Sequence, residues 1–423
     1  MKLIALSPFF SSKKLINRRA FIIGSVSILL VSLTFFSTFA HAEHDFKLWI
    51  NEFKKIALAN NISSTTFDIA FKTVDMIDPI VLKKAMHQPE FIDSPWNYFD
   101  NRVHNIAIVE GQNHAQKWEP WLSKIEKRFG VNRNILLAIW SIESSYGKVL
   151  QNKNVMHDAI RSLATLAYAD QKRKKYAYIQ LIAAMKILQD SGIHRSQLTG
   201  SWAGALGHTQ FIPTSYLAYG VDMDGDGRCN IWTSIPDALA TAANLLHMNG
   251  WQPDLPWGVE VKLPHRKKLP EDWFSFEQWK KLGVRHARGQ PFPSSSQLAI
   301  LKFPDGPEGP IFLVTKNFFV IKRYNNADRY AFAVALLANR IAGHPGLVRD
   351  WNRPFKPITF QERLELQSRL AALGDYKGEI DGKIGTASKQ AIKAFQQRHG
   401  LEADGYPSDK VLFLLRKQRS GIR

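Results

Sequence analysis

Cysteine is nearly absent: Cys229 stands alone in 423 residues. One thiol cannot close an intramolecular disulfide, and none lies where an exported chain would take a lipid. Negative charge is short as well, 37 Asp and Glu against 56 Lys and Arg, for a formal charge of +19. So basic a chain favours an anionic partner, whether nucleic acid, a membrane surface or an acidic glycan, and charge alone does not choose among them. Disordered or fibrous composition is missing too, since 45% of the residues are apolar. A bilayer-length apolar run occurs at residues 21–40. Lys2, Lys13, Lys14, Arg18 and Arg19 precede it, and Ala40-His41-Ala42 follows in an A-x-A pattern. This reads as an export signal over residues 1–42, with an uncleaved anchor as the alternative. Arg18-Arg19 also resembles the pair that opens a twin-arginine signal, although ordinary export signals carry such pairs. Removing the segment leaves +14 and an exported, soluble protein with no stable membrane anchor.

What is present points to at least two domains, because the chain is too long for one typical core. Residues 43–130 carry helical spacing, broken near Asp78-Pro79, Gln88-Pro89 and Ser94-Pro95. Trp96, Tyr98, Phe99, Trp118 and Trp121 supply aromatics for a core or for a sugar cleft. Residues 158–169 and 174–189 repeat the 3.6-residue period of packing helices. Residues 253–310 are rich in Pro, Gly and charge, with strand-like pieces at 259–263, 297–303 and, just beyond, 311–314, so a small β-rich insertion is expected there. An apolar helix returns from Tyr330. Residues 343–359 read as a linker. Leu366, Leu370, Ile392, Phe395 and the run 411–415 outline a second, helical domain over residues 360–418. The fold class expected is mainly α with a minor β component.

The stretch IWSIESSYG, residues 139–147, sets one carboxylate into apolar helical sequence. Leu136, Ile139, Trp140 and Tyr146 share a face with Glu143. Hydrocarbon and aromatic neighbours disfavour an ionised carboxyl, so this spacing predicts an acid protonated near neutral pH and able to donate a proton. The bland alternative is a Glu that closes a buried ion pair or sits at the solvent edge of a core helix.

Two further stretches carry candidate sites. In GSWAGALGHTQFIPTSY, residues 200–216, glycines at 200, 204 and 207 suit either close approach to a ligand or a tight helix crossing. Ser201, Gln210 and Thr214 are available there for hydrogen bonds. In VDMDGDGRCNIW, residues 221–232, Asp222, Asp224 and Asp226 alternate before Gly227. Three carboxylates that close repel one another unless a hard cation lies among them, so a structural Ca²⁺ site is expected, with a solvated Asp-Gly turn as the alternative. The EF-hand pattern is partial: position twelve is Thr233 instead of Glu. Asp237 could supply the missing carboxylate, and the Arg228 backbone carbonyl another oxygen.

In order and spacing these stretches, with NVMHDAIRSLATLAY (residues 154–168) and NFFVIKRYNNADRYA (residues 317–331), resemble the lytic murein transglycosylase B family. Residues 366–405 resemble a peptidoglycan-binding domain. The resemblance covers residues 45–341 and 360–415. It implies a lysozyme-like helical catalytic domain over residues 43–342 and a three-helix peptidoglycan-binding domain. It also implies that Glu143 serves as the single catalytic acid and base. Ser201, Gln210, Tyr324, Asn325 and Tyr330 become substrate-binding residues, and the segment from Asp222 to Asp237 an EF-hand-like ion site. No cofactor is then needed for chemistry. The partner is the peptidoglycan glycan strand, the compartment the periplasm, and the protein a monomer. Nucleic-acid binding conflicts with the export signal and lacks a motif. The mechanism implied is cleavage without water. Glu143 protonates the leaving oxygen between N-acetylmuramic acid and N-acetylglucosamine, then deprotonates the muramic C6 hydroxyl, which closes a 1,6-anhydro ring. A lysozyme-like hydrolase and a non-catalytic cell-wall scaffold are the competing readings.

Overall fold

The structure is a computed structural model that describes residues 45–86, 94–264, 269–293 and 296–418. The expected export signal lies outside the described residues. These fall into two compact units, one ending at Ile77 and the other beginning at Asp78. No helix among the described residues is long and apolar enough to cross a membrane.

The first unit consists of α1 (45–59) and α2 (Ser64–Phe71). Ser63 caps α2, its Oγ accepting from Thr66 N at 3.0 Å. Its interior is aromatic: Phe53 stacks on Trp49 with centroids 5.2 Å apart, and Phe67 on Phe71 at 4.5 Å. Both pairs stand four residues apart on one helix, the spacing that brings side chains together.

The second unit opens with α3 (Pro79–Met86), α4 (Pro95–Asp100), α5 (Asn105–Lys117) and α6 (Glu119–Phe129). Next comes α7 (Arg133–Ser144), which carries Glu143. Asn132 starts α7, its Oδ1 accepting from Asn134 N at 2.8 Å. Leu136 and Ile139 are fully buried and Trp140 nearly so, against α5 and the late helix α14. Burying each such Leu or Ile is worth about 2 kcal/mol. A two-residue ladder, β1 (His157–Asp158) with β2 (Thr199–Gly200), brackets α8 (Ala159–Ala169) and α9 (Lys174–Asp190). Then follow α10 (Pro213–Tyr219) and α11 (Ile235–Met248).

The expected β-rich insertion is present as a five-stranded antiparallel sheet. Its strands are β3 (Gly258–Lys262), β4 (Phe274–Ser275), β5 (Arg285–His286), β6 (Leu298–Lys302) and β7 (Phe312–Val314), in the order β4-β6-β7-β3-β5. The strand-like pieces in the sequence correspond to β3, β6 and β7. Strands β4 and β5 are two residues long, too short to show alternation. Short helix α12 (Phe276–Lys281) covers the sheet with Trp279, whose Nε1 donates to Ala299 O at 2.9 Å. The chain returns through α13 (Lys316–Tyr324) and α14 (Asp328–Ile341).

Residues 343–357 lie along the β-rich region and α4. Glu260 accepts from the backbone of Val348 and of Arg349, each at 2.8 Å. Trp351 stacks on Phe99 of α4, centroids 4.2 Å apart. Arg353, with its side chain only 7% exposed, pairs with Asp100 of α4 at 2.6 Å. Beyond it α15 (Phe360–Ala372), α16 (Thr386–Arg398) and α17 (Asp409–Lys417) enclose a separate core of Leu366, Leu370, Ile392, Phe395, Leu412 and Leu415. Within it the fully buried Gln367 holds the 381–385 turn: Oε1 accepts from Gly382 N at 2.7 Å and Nε2 donates to Lys383 O at 2.9 Å. These helices meet α4 as well, through Lys389 Nζ donating to Asn97 Oδ1 at 2.8 Å and Tyr406 edge-on to Trp96 at 4.3 Å.

Candidate active site

Glu143 stands one residue before the end of α7, and the helix stops there abruptly. Ser145, Tyr146 and Gly147 have φ of 50°, 57° and 87°, three left-handed residues in a row, two of them not glycine. Such backbone is costly and is kept only where packing fixes it. Three bonds do so. Ser145 N donates to Ser141 O at 2.8 Å, Ser144 Oγ to His208 O at 2.5 Å, and Tyr146 Oη to Ala107 O of α5 at 2.8 Å. Trp140 Nε1 donates to His208 Nδ1 at 3.1 Å. Burial first, and then the nearby His114, pull the His208 imidazole from 6.5 down to about 4, so it stays neutral.

The Glu143 carboxylate accepts from Tyr330 Oη at 2.6 Å. Tyr330 lies in the first turn of α14, whose leading Asp328 is fixed by Lys302 and Lys322, each at 2.7 Å. The Tyr324 ring lies nearly parallel to that of Tyr330, 8° apart in plane and 6.2 Å between centroids. Its hydroxyl donates to Thr209 O. Burial, with the charge of Glu143 adding to it, pushes both phenols well above their usual range, so each is a neutral donor.

A cavity of about 380 Å³ opens at this point, lined by Tyr98, Arg102, Ile142, Glu143, Asn325, Ala327, Arg329 and Tyr330. Among its lining residues Glu143 is the only carboxylate. Of the residues expected in the site, Glu143, Asn325 and Tyr330 therefore meet in one place, with Tyr324 stacked on Tyr330. Ser201 and Gln210 are not among the lining residues. Ser201 Oγ accepts from Ala203 N and Ala205 N, at 3.3 and 3.1 Å, and Gln210 Nε2 donates to Gly207 O at 2.9 Å. Both thus brace the 200–211 turn. The glycines of that turn also face protein: a Cβ on Gly204 would come within 2.7 Å of Leu163, and one on Gly207 within 2.5 Å of Ile231 O. Both glycines lie between β2 and α10, outside any helix, so this is the packing of a turn and not the tight helix crossing expected as one of their two uses.

Arg102 and Arg329 line the cavity although the sequence did not single them out. For Arg329 a signal existed, since it adjoins Tyr330 in NNADRYA. For Arg102 there was none, because only the fold brings α4 beside α14, which carries Arg329 and Tyr330.

The aspartate loop forms a separate cluster. Carboxylate oxygens of Asp222, Asp224 and Asp237 lie within 4.8 Å of one another. Asp222 accepts from Gly225 N at 2.7 Å and Gly227 N at 2.8 Å, and buried Asp237 from Met223 N and Asn230 N at 2.8 Å each. Burial, with Asp224 adding like charge, pushes the Asp237 carboxyl up. Three oxygens converging around a desolvated carboxylate suit a hard cation. Asp226 does not join the group; its exposed Oδ1 accepts from Arg228 N at 2.9 Å.

A lone acid held by a tyrosine in a helical cleft, beside a small sheet and a separate three-helix unit, defines a glycan-cleaving enzyme of lysozyme-like architecture. Comparison with known proteins makes that specific. Residues 45–339 match the transglycosylase SLT domain family, to which the chain belongs, and residues 361–415 match the putative peptidoglycan binding domain. The chain is 28% identical over 320 residues to membrane-bound lytic murein transglycosylase B of Escherichia coli K12, covering 67% of this chain and 84% of that one. Among solved structures, SltB3 from Pseudomonas aeruginosa in complex with NAG-anhNAM-pentapeptide is 42% identical. That match covers 88% of this chain and 99% of the other, with a TM-score of 0.69. Soluble lytic transglycosylase SltB1 from the same organism is 25% identical over 70% of this chain and 98% of its own, with a TM-score of 0.60. The protein is a peptidoglycan lytic transglycosylase carrying a peptidoglycan-binding domain.

Proposed function

We propose that this enzyme cuts the bond from N-acetylmuramic acid to N-acetylglucosamine without water, leaving a 1,6-anhydromuramic end, and that Glu143 handles both protons. The observation that carries this reading is Glu143 as the only carboxylate among the described residues that line the cavity, bonded to Tyr330 at 2.6 Å. Hydrolytic glycosidases place a second carboxylate about 5–9.5 Å from the first, to attack the sugar or activate water. No such partner lines the cleft among the described residues, which favours an attacking oxygen supplied by the substrate. Tyr330 is a donor to Oε1, so the transferable proton sits on Oε2. Oε2 gives that proton to the leaving glycosidic oxygen. The same oxygen, now ionised, takes the proton of the muramic C6 hydroxyl as C6–O closes on C1. Intramolecular attack needs no bimolecular encounter, a gain that positioned groups realise as effective concentration. Asn325 supplies an amide to hold the acetamido group. The relative crystallised with NAG-anhNAM-pentapeptide supports the anhydro product.

In this reading residues 1–42 direct export to the periplasm, residues 43–342 form the catalytic domain, and residues 360–418 hold the enzyme on the glycan. Asp222, Asp224 and Asp237 bind Ca²⁺, with the Arg228 carbonyl and Asp226 available at the rim, and the ion stabilises the loop without entering the chemistry. The test is Glu143→Gln: cleavage of purified peptidoglycan should fall by about 10³-fold or more, while the variant still binds the glycan. Turnover near the native rate would remove Glu143 from the mechanism.

A further inference from the structure

Two arginines, Arg102 and Arg329, line a cavity whose one acid among the described residues is Glu143. Arg102 directly follows α4 and the residue that ends it. Its guanidinium carbon lies 3.7 Å from the centre of the Tyr98 ring, and Nη1 reaches Tyr98 O at 3.5 Å. It forms no ion pair with a carboxylate among the described residues. A guanidinium laid on an aromatic face is held by the ring and keeps its N–H edge available for an oxyanion.

The support beneath it is firm. Helix α4 presents Tyr98 toward the cavity, while its Trp96, Asn97, Phe99 and Asp100 are held by Tyr406, Lys389, Trp351 and Arg353. The charge is therefore in place before any ligand arrives, which lowers the ordering cost of a two-point contact.

The substrate carries a matching group. Peptidoglycan is neutral along its sugar backbone, and its acid lies on the lactyl arm of muramic acid. That acid is either the bare lactyl carboxylate or, where the arm bears a peptide, a carboxylate of that peptide. We propose that Arg102, with Arg329 beside it, receives a carboxylate borne by the lactyl arm of the muramic acid whose glycosidic bond lies over Glu143. The arginine thereby selects muramic acid over N-acetylglucosamine at the scissile position. This rests on peptidoglycan being the substrate. Arg–carboxylate geometry is bidentate and directional, so the contact also fixes which face of the sugar meets Glu143.

A binding measurement tests this without relying on turnover. In a Glu143→Gln background, calorimetry would follow three ligands: GlcNAc-MurNAc with its free carboxylate, GlcNAc-MurNAc-pentapeptide, and GlcNAc-MurNAc with the lactyl group converted to the amide. With Arg102 present, at least one acidic ligand should bind about tenfold more tightly than the amide, and added salt should erode the difference. Arg102→Gln should bring the ratio close to one, and Arg102→Lys should keep part of it by retaining the charge without the fork. Whichever acidic ligand shows the preference identifies the source of the carboxylate. An unchanged ratio in Arg102→Gln overturns the proposal. Equal weakening of all three ligands also overturns it, because the arginine would then only prop Tyr98. If Arg102→Gln melts early, Arg102→Lys carries the same comparison. Failure of the substrate reading looks different: no ligand of the three would bind even with Arg102 intact.

Discussion

The Glu143 cleft and the Asp222–Asp237 loop are both built on carboxylates, and what donates to each separates their roles. For Asp222 and Asp237 in the loop the donors are backbone amides: Gly225 and Gly227 serve Asp222, and Met223 and Asn230 serve Asp237. Backbone N–H groups cannot move without refolding the segment, so these carboxylates define the shape of the chain. In the cleft a side chain, that of Tyr330, donates to Glu143 across 187 residues of sequence, and both residues line a cavity. A carboxylate tied by its own loop is structural. One held by a distant phenol and lining a cavity is placed to exchange a proton.

That contrast can be broken at several points. The largest effect is expected from Tyr330→Phe, which removes the donor and leaves the ring. Loss of one positioned hydrogen bond at a reacting group should lower kcat by about 10²-fold, with a smaller change in KM. Stability should move little. If kcat is unaffected, Tyr330 does not orient the acid. Asp237→Asn should show the opposite pattern. It replaces an acceptor of three backbone donors by a group with one oxygen and one NH₂, leaving at least one backbone N–H opposed. Melting should fall by an amount corresponding to about 1–3 kcal/mol, and the rise in Tm on adding Ca²⁺ should vanish. Specific activity of the folded fraction should hold. A native Ca²⁺ response in this variant would count against the ion site.

The smallest effect concerns the back of α7. His208 is neutral in the fold, with its imidazole drawn from 6.5 to about 4. The unfolded chain takes up a proton near 6.5 and the folded one does not. The resulting stabilisation is full above pH 6.5 and is lost as pH falls toward 4. His104, also drawn down to about 4 by burial and by Lys383, adds to the same trend. His208→Gln should lower Tm at pH 7 by a few degrees and flatten part of the decline toward pH 4. A decline as steep as in the native protein would show that other groups set it.

Much of this was legible in sequence because it is local. The 3.6-residue spacing around Glu143 located α7 and the buried face of Leu136, Ile139 and Trp140, and Val259, Leu301 and Leu313 marked three strands of the sheet. Leu366, Leu370, Ile392, Phe395 and the run 411–415 marked the C-terminal helices. Asp222, Asp224 and Asp237 were nameable because loop spacing alone brings them near each other. Other features were not legible, for a physical reason in each case. Strands β4 and β5 are too short to carry a period. Arg102 reaches the cleft only because α4 is pinned by residues 343–417, contacts that span hundreds of positions. Asp226 fits the alternation of a cation loop, but it is exposed, its Oδ1 accepts from Arg228 N at 2.9 Å, and the oxygens that converge are those of Asp222, Asp224 and Asp237.

The central claim is that one carboxylate moves both protons and that the sugar attacks itself. Digesting purified peptidoglycan in ¹⁸O-labelled water and weighing the muramic ends tests it most directly. The account predicts unlabelled ends, each lighter by one water than a reducing sugar. Reducing muramic acid carrying solvent ¹⁸O at C1 as the first product would contradict it.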